Sequence, residues 1–199
     1  MKKNIIVAAL AFALASCGTS TKIVNSWRDP AVTVNSAALH KFVVAALMRN
    51  EATRRTVEDK MAAMYPGKAV PSYSIFGMDE LKDSDDVYNQ KLKNEGYDGI
   101  VVMRFLKVDK STRYVPGSYP LYYGSWRGYW RSAWAGYYDP GYYTTDKTYN
   151  VEVNVYSLIR GKMVWSGETS TVDPGGSDAL YESVMKAVTK KMKTEGFLM

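Results

Sequence analysis

Two uninterrupted apolar runs constrain this chain more than any other feature: Phe42–Met48 ("FVVAALM") and Ile100–Met103 ("IVVM"). Runs of this length without polar alternation suit strands buried on both faces, as in a parallel sheet covered by helices. The residues between them read as crossover helices. Asn50 is placed to cap the first, with Glu51 in its first turn and Val57, Met61 and Met64 as its buried stripe. This helix ends before Pro66 and Gly67, and Pro71 in "KAVPSYSIF" puts the next strand at a sheet edge. A second helix runs from about Ser84, with Asp85 and Asp86 in its first turn, to Gly96 as its C-terminal cap. Right-handed crossovers give the order 2-1-3, with the Phe42–Met48 strand in the centre.

Further on the pattern changes. In "YNVEVNVYSLI" Val151, Val153, Val155 and Ile159 share one side while Asn150, Glu152 and Asn154 share the other, the mark of a half-exposed antiparallel strand. Arg160–Lys162 make a hairpin turn, and "MVWSGETSTV" is the returning strand. A last helix, capped by Ser177 or Asp178, carries Tyr181, Met185, Val188 and Met192 on its inner face and ends at Gly196. The expected fold is mixed α+β and α/β: one β-α-β-α-β-β-β-α domain over residues 27–199, a mixed sheet with helices packed on it.

The N-terminus has a different logic. Lys2 and Lys3 precede the uncharged run Ile5–Ala15, which is too short to span a bilayer core of ~30 Å but suits a signal peptide. It closes on "LASC", an apolar residue, two small residues and Cys17, which resembles the lipobox of bacterial lipoproteins. Cys17 is the only cysteine in the chain. Residues 1–16 are therefore expected to be removed and Cys17 to be acylated, with residues 17–26 a tether and "WRDP" (Trp27–Pro30) a turn. Acyl chains contribute ~0.8 kcal/mol per buried methylene, and two or more give a stable anchor. Gly18, rather than Asp, follows the cysteine, which by the sorting rule of such lipoproteins favours the periplasmic face of the outer membrane. Loss of Lys2 and Lys3 lowers the formal charge from +6 to +4. Export argues against nucleic acid as a partner, although Arg127 and Arg131 alternate with aromatics.

The segment "YPLYYGSWRGYWRSAWAGYYDPGYY" (Tyr119–Tyr143) is dense in Tyr and Trp and broken by Gly, Ser and Pro. It joins a strand ending near Val115 to one starting near Tyr149. An insert over about residues 115–147 far exceeds an ordinary hairpin connection of 2–5 residues. It is expected to fold back onto the domain or extend its strands. It also holds the candidate contact residues for a protein partner, a cell-wall glycan or a membrane interface: Tyr122, Tyr123, Trp126, Arg127, Tyr129, Trp130, Arg131, Trp134, Tyr137 and Tyr138. Their rings offer stacking faces with polar tips, and the two arginines suit acidic groups.

Signals for chemistry are weak. The single histidine, His40, stands before a core strand and reads as structural. With Cys17 acylated, no thiol remains as nucleophile or ligand. There is no G-x-S-x-G elbow, no P-loop and no dinucleotide fingerprint. "MDELKDSDD" supplies Asp79, Glu80, Asp83, Asp85 and Asp86, but it lacks the central Gly and terminal Glu of a calcium loop. No catalytic residue, metal or cofactor is expected.

Taken together, "LASC", "SWRDP", "YDGIVVMRFLKVDKSTRYVPG", the Tyr/Gly-rich insert, "YNVEVNVYSLIRGKMVWSGETSTVDP" and the C-terminal helix resemble small bacterial envelope lipoproteins of the domain-of-unknown-function family 4136, or a sister family. In those chains a Tyr/Gly-rich segment precedes a hairpin bearing "GK-x-V-W-x-G". The sheet layout is also similar to that of the TolB N-terminal domain and of lipoproteins that regulate cell-wall synthases. The resemblance implies a non-catalytic binding or scaffolding module of the envelope, with a glycan-binding module of peptidoglycan or lipopolysaccharide as the alternative.

Overall fold

A computed structural model describes residues 19–32, 39–76, 85–117, 125–138 and 140–195. The chain divides into two compact units, one of residues 1–107 and 149–199 and one of residues 108–148. Along the chain the described elements are β1 (Thr21–Arg28), β2 (Phe42–Leu47), α1 (Glu51–Ala63), β3 (Ala69–Pro71), a 3-10 turn (Ser72–Ser74), α2 (Asp85–Asn94), β4 (Gly99–Val115), α3 (Trp126–Tyr138), β5 (Tyr142–Ser157), β6 (Lys162–Val172) and α4 (Ser177–Thr194). The strands form one mixed sheet in the order β1-β6-β5-β4-β2-β3. This is the α+β class that the patterning predicts.

β2 pairs in parallel with β3 on one side and β4 on the other, so the first apolar run is the centre of three parallel strands, as expected. Its residues alternate between two cores. Phe42, Val44 and Ala46 pack in one cluster with Val57 and Met61 of α1, and Val43 packs in a second with Leu92 of α2, Tyr97 and Leu158. Burial on both sides explains the absence of polar alternation. β3, which contains Pro71, is the edge strand.

The caps of the crossover helices are local. The Asn50 side chain accepts the Thr53 N–H at 2.9 Å. At the end of α2, Gly96 has φ +83°, its N–H donates to Lys93 O, and the Tyr97 N–H donates to Leu92 O. That pair of bonds is a Schellman motif, with the glycine supplying the left-handed residue. Met64, assigned above to the buried stripe of α1, is largely exposed, because the helix stops at Ala63 and Met64 is only its cap. The side chain buried instead is Glu58, which is fully enclosed. Its carboxylate accepts the Ala46 N–H at 2.9 Å, the Ser72 hydroxyl at 2.8 Å and the Tyr73 N–H at 3.1 Å, with Arg54 3.8 Å away. One charge thus ties α1 to β2 and to the 3-10 turn.

In the antiparallel half, Val151, Val153 and Val155 are fully buried, as their alternation predicts. Burying each such side chain contributes ~1.5–3 kcal/mol. Ile159 does not continue the row. The turn begins after Ser157, so Leu158 turns inward while Ile159 projects into solvent. Asn150, expected on the open face, is buried. Trp165 on β6 lies over Gly167 so closely that a Cβ there would collide with its ring; this gives the "W-x-G" of the hairpin a packing reason. The Trp165 indole N–H donates to Glu195 at 2.7 Å, and the Ser26 hydroxyl donates to the same carboxylate at 2.9 Å.

The N-terminal segment corrects the tether. Residues 21–26 are not a free spacer but most of β1, which pairs antiparallel with β6 from Thr21 opposite Thr171 to Arg28 opposite Trp165. Trp27 belongs to this strand rather than to a turn. Its attachment is largely polar: Thr21 Oγ1 lies 2.7 Å from Thr171 Oγ1 and donates to Ser183 Oγ at 2.8 Å, and the Ser183 hydroxyl donates to Thr19 O at 3.0 Å. A strand held at the edge by hydroxyls leaves no apolar periodicity to read. α4 likewise begins after Gly176 with no side-chain cap, so neither Ser177 nor Asp178 caps it as expected. Its inner face is Leu180, Val184, Met185, Val188 and Met192. The expected stop at Gly196 lies outside the described residues.

Candidate functional site

The aromatic insert belongs to the unit of residues 108–148. Of the flanking strands, β4 ends at Val115 after 17 residues, as expected, whereas β5 begins at Tyr142 rather than near Tyr149. Contacts across their outer parts join Thr112 to Thr145 at 3.1 Å and Arg113 to Asp146 at 3.3 Å, and stack Tyr114 on Tyr143 with ring centroids 5.3 Å apart. From Arg104–Glu152 through Thr112–Thr145 to Tyr114–Tyr143 the numbers fall on one strand as they rise on the other, so the pair is an antiparallel ribbon. Gly141 is required at its outer end. Its φ is +86°, and a Cβ would meet the Val115 carbonyl, the Tyr114 hydroxyl and the Gly117 nitrogen. The Tyr114 hydroxyl also donates to Pro140 O.

Between the strands lies α3, which the Gly and Ser content of the segment hid. Ser125 caps it, accepting the Gly128 N–H at 3.1 Å. The signal was nevertheless present. Trp126, Trp130 and Trp134 recur every fourth residue, so a helix brings them to one side with ~6 Å of rise between neighbours. All three are exposed, at 75%, 61% and 44%. The rings of Trp130 and Trp134 meet edge to face, with centroids 6.0 Å apart and planes at 65°. The Arg127 guanidinium stands 5.7 Å from the centre of the Trp126 ring. Arg127 and Arg131 are both exposed, and α3 contains no Asp or Glu. Of the expected contact residues, the helix therefore gathers Trp126, Arg127, Trp130, Arg131 and Trp134. Tyr129, Tyr137 and Tyr138 lie on its backbone, their side chains outside what the structure describes. Tyr122, Tyr123 and Cys17 lie outside the described residues. Tyr142, Tyr143 and Tyr114, not singled out from the sequence, add exposed aromatic surface to the same unit.

Among the described residues, Asp98 and Asp29 hold backbone groups in place. His40 is 84% exposed, and its Nδ1 lies 3.2 Å from Asp98. Asp98 in turn accepts the backbone N–H groups of His40 and Lys41 at 2.6 and 3.3 Å, so it fixes the entry to β2. Asp29 is buried, accepts the Ala31 N–H and pairs with Lys162 at 2.6 Å. The bond from Lys162, and then that from Ala31, holds its carboxyl below the usual range. A cavity of about 440 Å³ is lined by Phe76, Tyr88, Leu92, Ile100, Leu158 and Met163 with Asn89, Ser157 and Lys162 among its polar groups. Among the described residues no three His, Cys, Asp or Glu side chains come together as metal ligands. Of the acidic run, Asp79, Glu80 and Asp83 lie outside the described residues, and Asp85 and Asp86 open α2. No described helix is long and apolar enough to cross a membrane.

No family model matches the chain, and no curated protein does, so the resemblance to family 4136 rests on the motifs quoted above. Solved structures do align with it. The PelC dodecamer from Paraburkholderia phytofirmans matches in two crystal forms at 10% identity and a TM-score of 0.42, one over 85% of this chain and 95% of that one, the other over 84% and 94%. Lipoprotein GNA1162 from Neisseria meningitidis matches at 10% identity and a TM-score of 0.38, over 77% of this chain and 98% of that one. At such distances function has to be argued from the residues of this chain.

Proposed function

We propose that this chain is a lipid-anchored, non-catalytic binding or scaffolding module of the bacterial cell envelope. Acyl chains on Cys17 hold it at the periplasmic face of the outer membrane, and α3 is its contact surface. The observation that carries this reading is the row of Trp126, Trp130 and Trp134, open to solvent on a helix with two arginines and no carboxylate. Exposed indoles beside arginine are the side chains that dominate recognition surfaces elsewhere.

A photoreactive residue in place of Trp130 tests the assignment in intact cells. It is expected to crosslink to an envelope component, whereas the same group in place of the exposed Ile159 turn residue is not. Equal yields at both positions, or none at Trp130, contradict it. The alternative reading is a glycan-binding surface, with the indoles as stacking faces and Arg127 and Arg131 as partners for acidic groups. It requires retention on purified sacculi that is lost when Trp126, Trp130 and Trp134 are all changed to Ala.

A further inference from the structure

We infer that the Trp/Arg side of α3 is a membrane-surface element, docking the helix flat on the anionic headgroup layer of a lipid bilayer. This deepens the contact surface proposed above and rests on the anchor reading for the bilayer being within reach. That reach is short. β1 begins at Thr21, four residues after Cys17, so an extended chain places the start of the sheet no more than ~14 Å from the acylated residue. Bonding of Ser183 to Thr19 O shortens the free part further. The unit that contains β1 is thereby kept within this distance of the anchor.

The chemistry of α3 fits such a surface. Indole rings with one polar N–H each settle at the boundary between headgroups and acyl chains. Their spacing of four residues keeps Trp126, Trp130 and Trp134 on one side through two turns, the length over which an in-plane helix can seat itself. Arg127 and Arg131 follow the first two indoles, and from residue 118 to residue 138 the chain carries no Asp or Glu. Among the described residues no carboxylate pairs with either arginine. The segment is therefore net cationic and is drawn to anionic lipid. The same geometry disfavours a sugar as the ligand. Stacking on a pyranose needs a ring face laid open, yet the Trp130 and Trp134 planes are tilted 65° to one another and do not form a shared platform. Acyl chains on Cys17 together with this helix make the pair of signals from which firm peripheral attachment is built.

The test uses the mature acylated protein, in a Trp27→Phe background, reconstituted on vesicles of phosphatidylcholine with a phosphatidylglycerol minority, with and without brominated acyl chains. Trp165 is fully buried and serves as the internal reference. Emission from α3 is expected to fall when the lipid is brominated and to become inaccessible to iodide. Each of Arg127→Gln and Arg131→Gln should lower surface occupancy of the helix about fivefold, and high salt should act in the same direction. If the protein floats with the vesicles but the indoles ignore brominated lipid and stay open to iodide, the inference fails while the anchor stands. If solubilised peptidoglycan or lipopolysaccharide fragments shield the indoles and brominated lipid does not, the surface is a glycan site and the inference fails. If a Cys17→Ala protein, exported with an ordinary secretory leader, floats equally well with its indoles quenched, the helix inference holds and the anchor reading fails. If neither protein floats, both fail.

Discussion

Glu58 shows how much one side chain can organise. A carboxylate with no solvent exposure is costly unless its bonds are complete. Here it receives two backbone N–H groups and a hydroxyl, with Arg54 nearby. Glu58→Leu leaves the N–H groups of Ala46 and Tyr73 without their acceptor, each costing ~1–3 kcal/mol. A loss of about 3 kcal/mol is expected in urea unfolding, with Glu58→Gln losing less because one carbonyl oxygen remains. Unchanged midpoints for both variants would show that the carboxylate holds nothing together. Nothing in the sequence marks Glu58, since its partners lie 12 residues before it and 14–15 after it. By contrast, Asn50 was legible because a cap bonds within three residues of itself. Ile159 and Met64 were misassigned for a related reason: periodicity gives a direction but not the residue at which the element stops.

Elements with strong local chemistry could be read directly. The parallel strands, the edge position of Pro71 and the end of α2 at Gly96 all follow from residue types. Gly96→Ala isolates that last device. A Cβ at this position meets nothing within 4 Å, so the cost is the left-handed backbone alone, about 1 kcal/mol. The shift should appear in urea midpoints without loss of activity in membrane binding. A stability gain from Gly96→Ala, as occurs where Gly only adds unfolded-state freedom, would refute the cap. Two elements were not legible. β1 is polar and attached through Thr21, Thr171 and Ser183, and α3 is rich in residues that disfavour helices unless tertiary context or spacing supports them. In α3 the decisive sign was the recurrence of Trp126, Trp130 and Trp134, which composition alone conceals.

For the whole molecule, the correction at β1 changes the meaning of the N-terminus. A strand that starts four residues after Cys17 leaves only a short spacer, so any anchor there keeps β1 close to the surface that holds it. The aromatic segment, first an anomaly of composition, becomes a helix with a cationic, indole-lined side in its own unit. The candidate site was thus visible as a set of residue types, while its geometry came only from the fold. The anchored placement at the centre of the functional account depends on the chemistry of Cys17. The most direct measurement is the mass of the N-terminal peptide of the protein purified from the envelope. The account predicts a chain that begins at Cys17 and carries a diacylglycerol on its sulfur. A chain that begins elsewhere, or that begins at an unmodified Cys17, would contradict it.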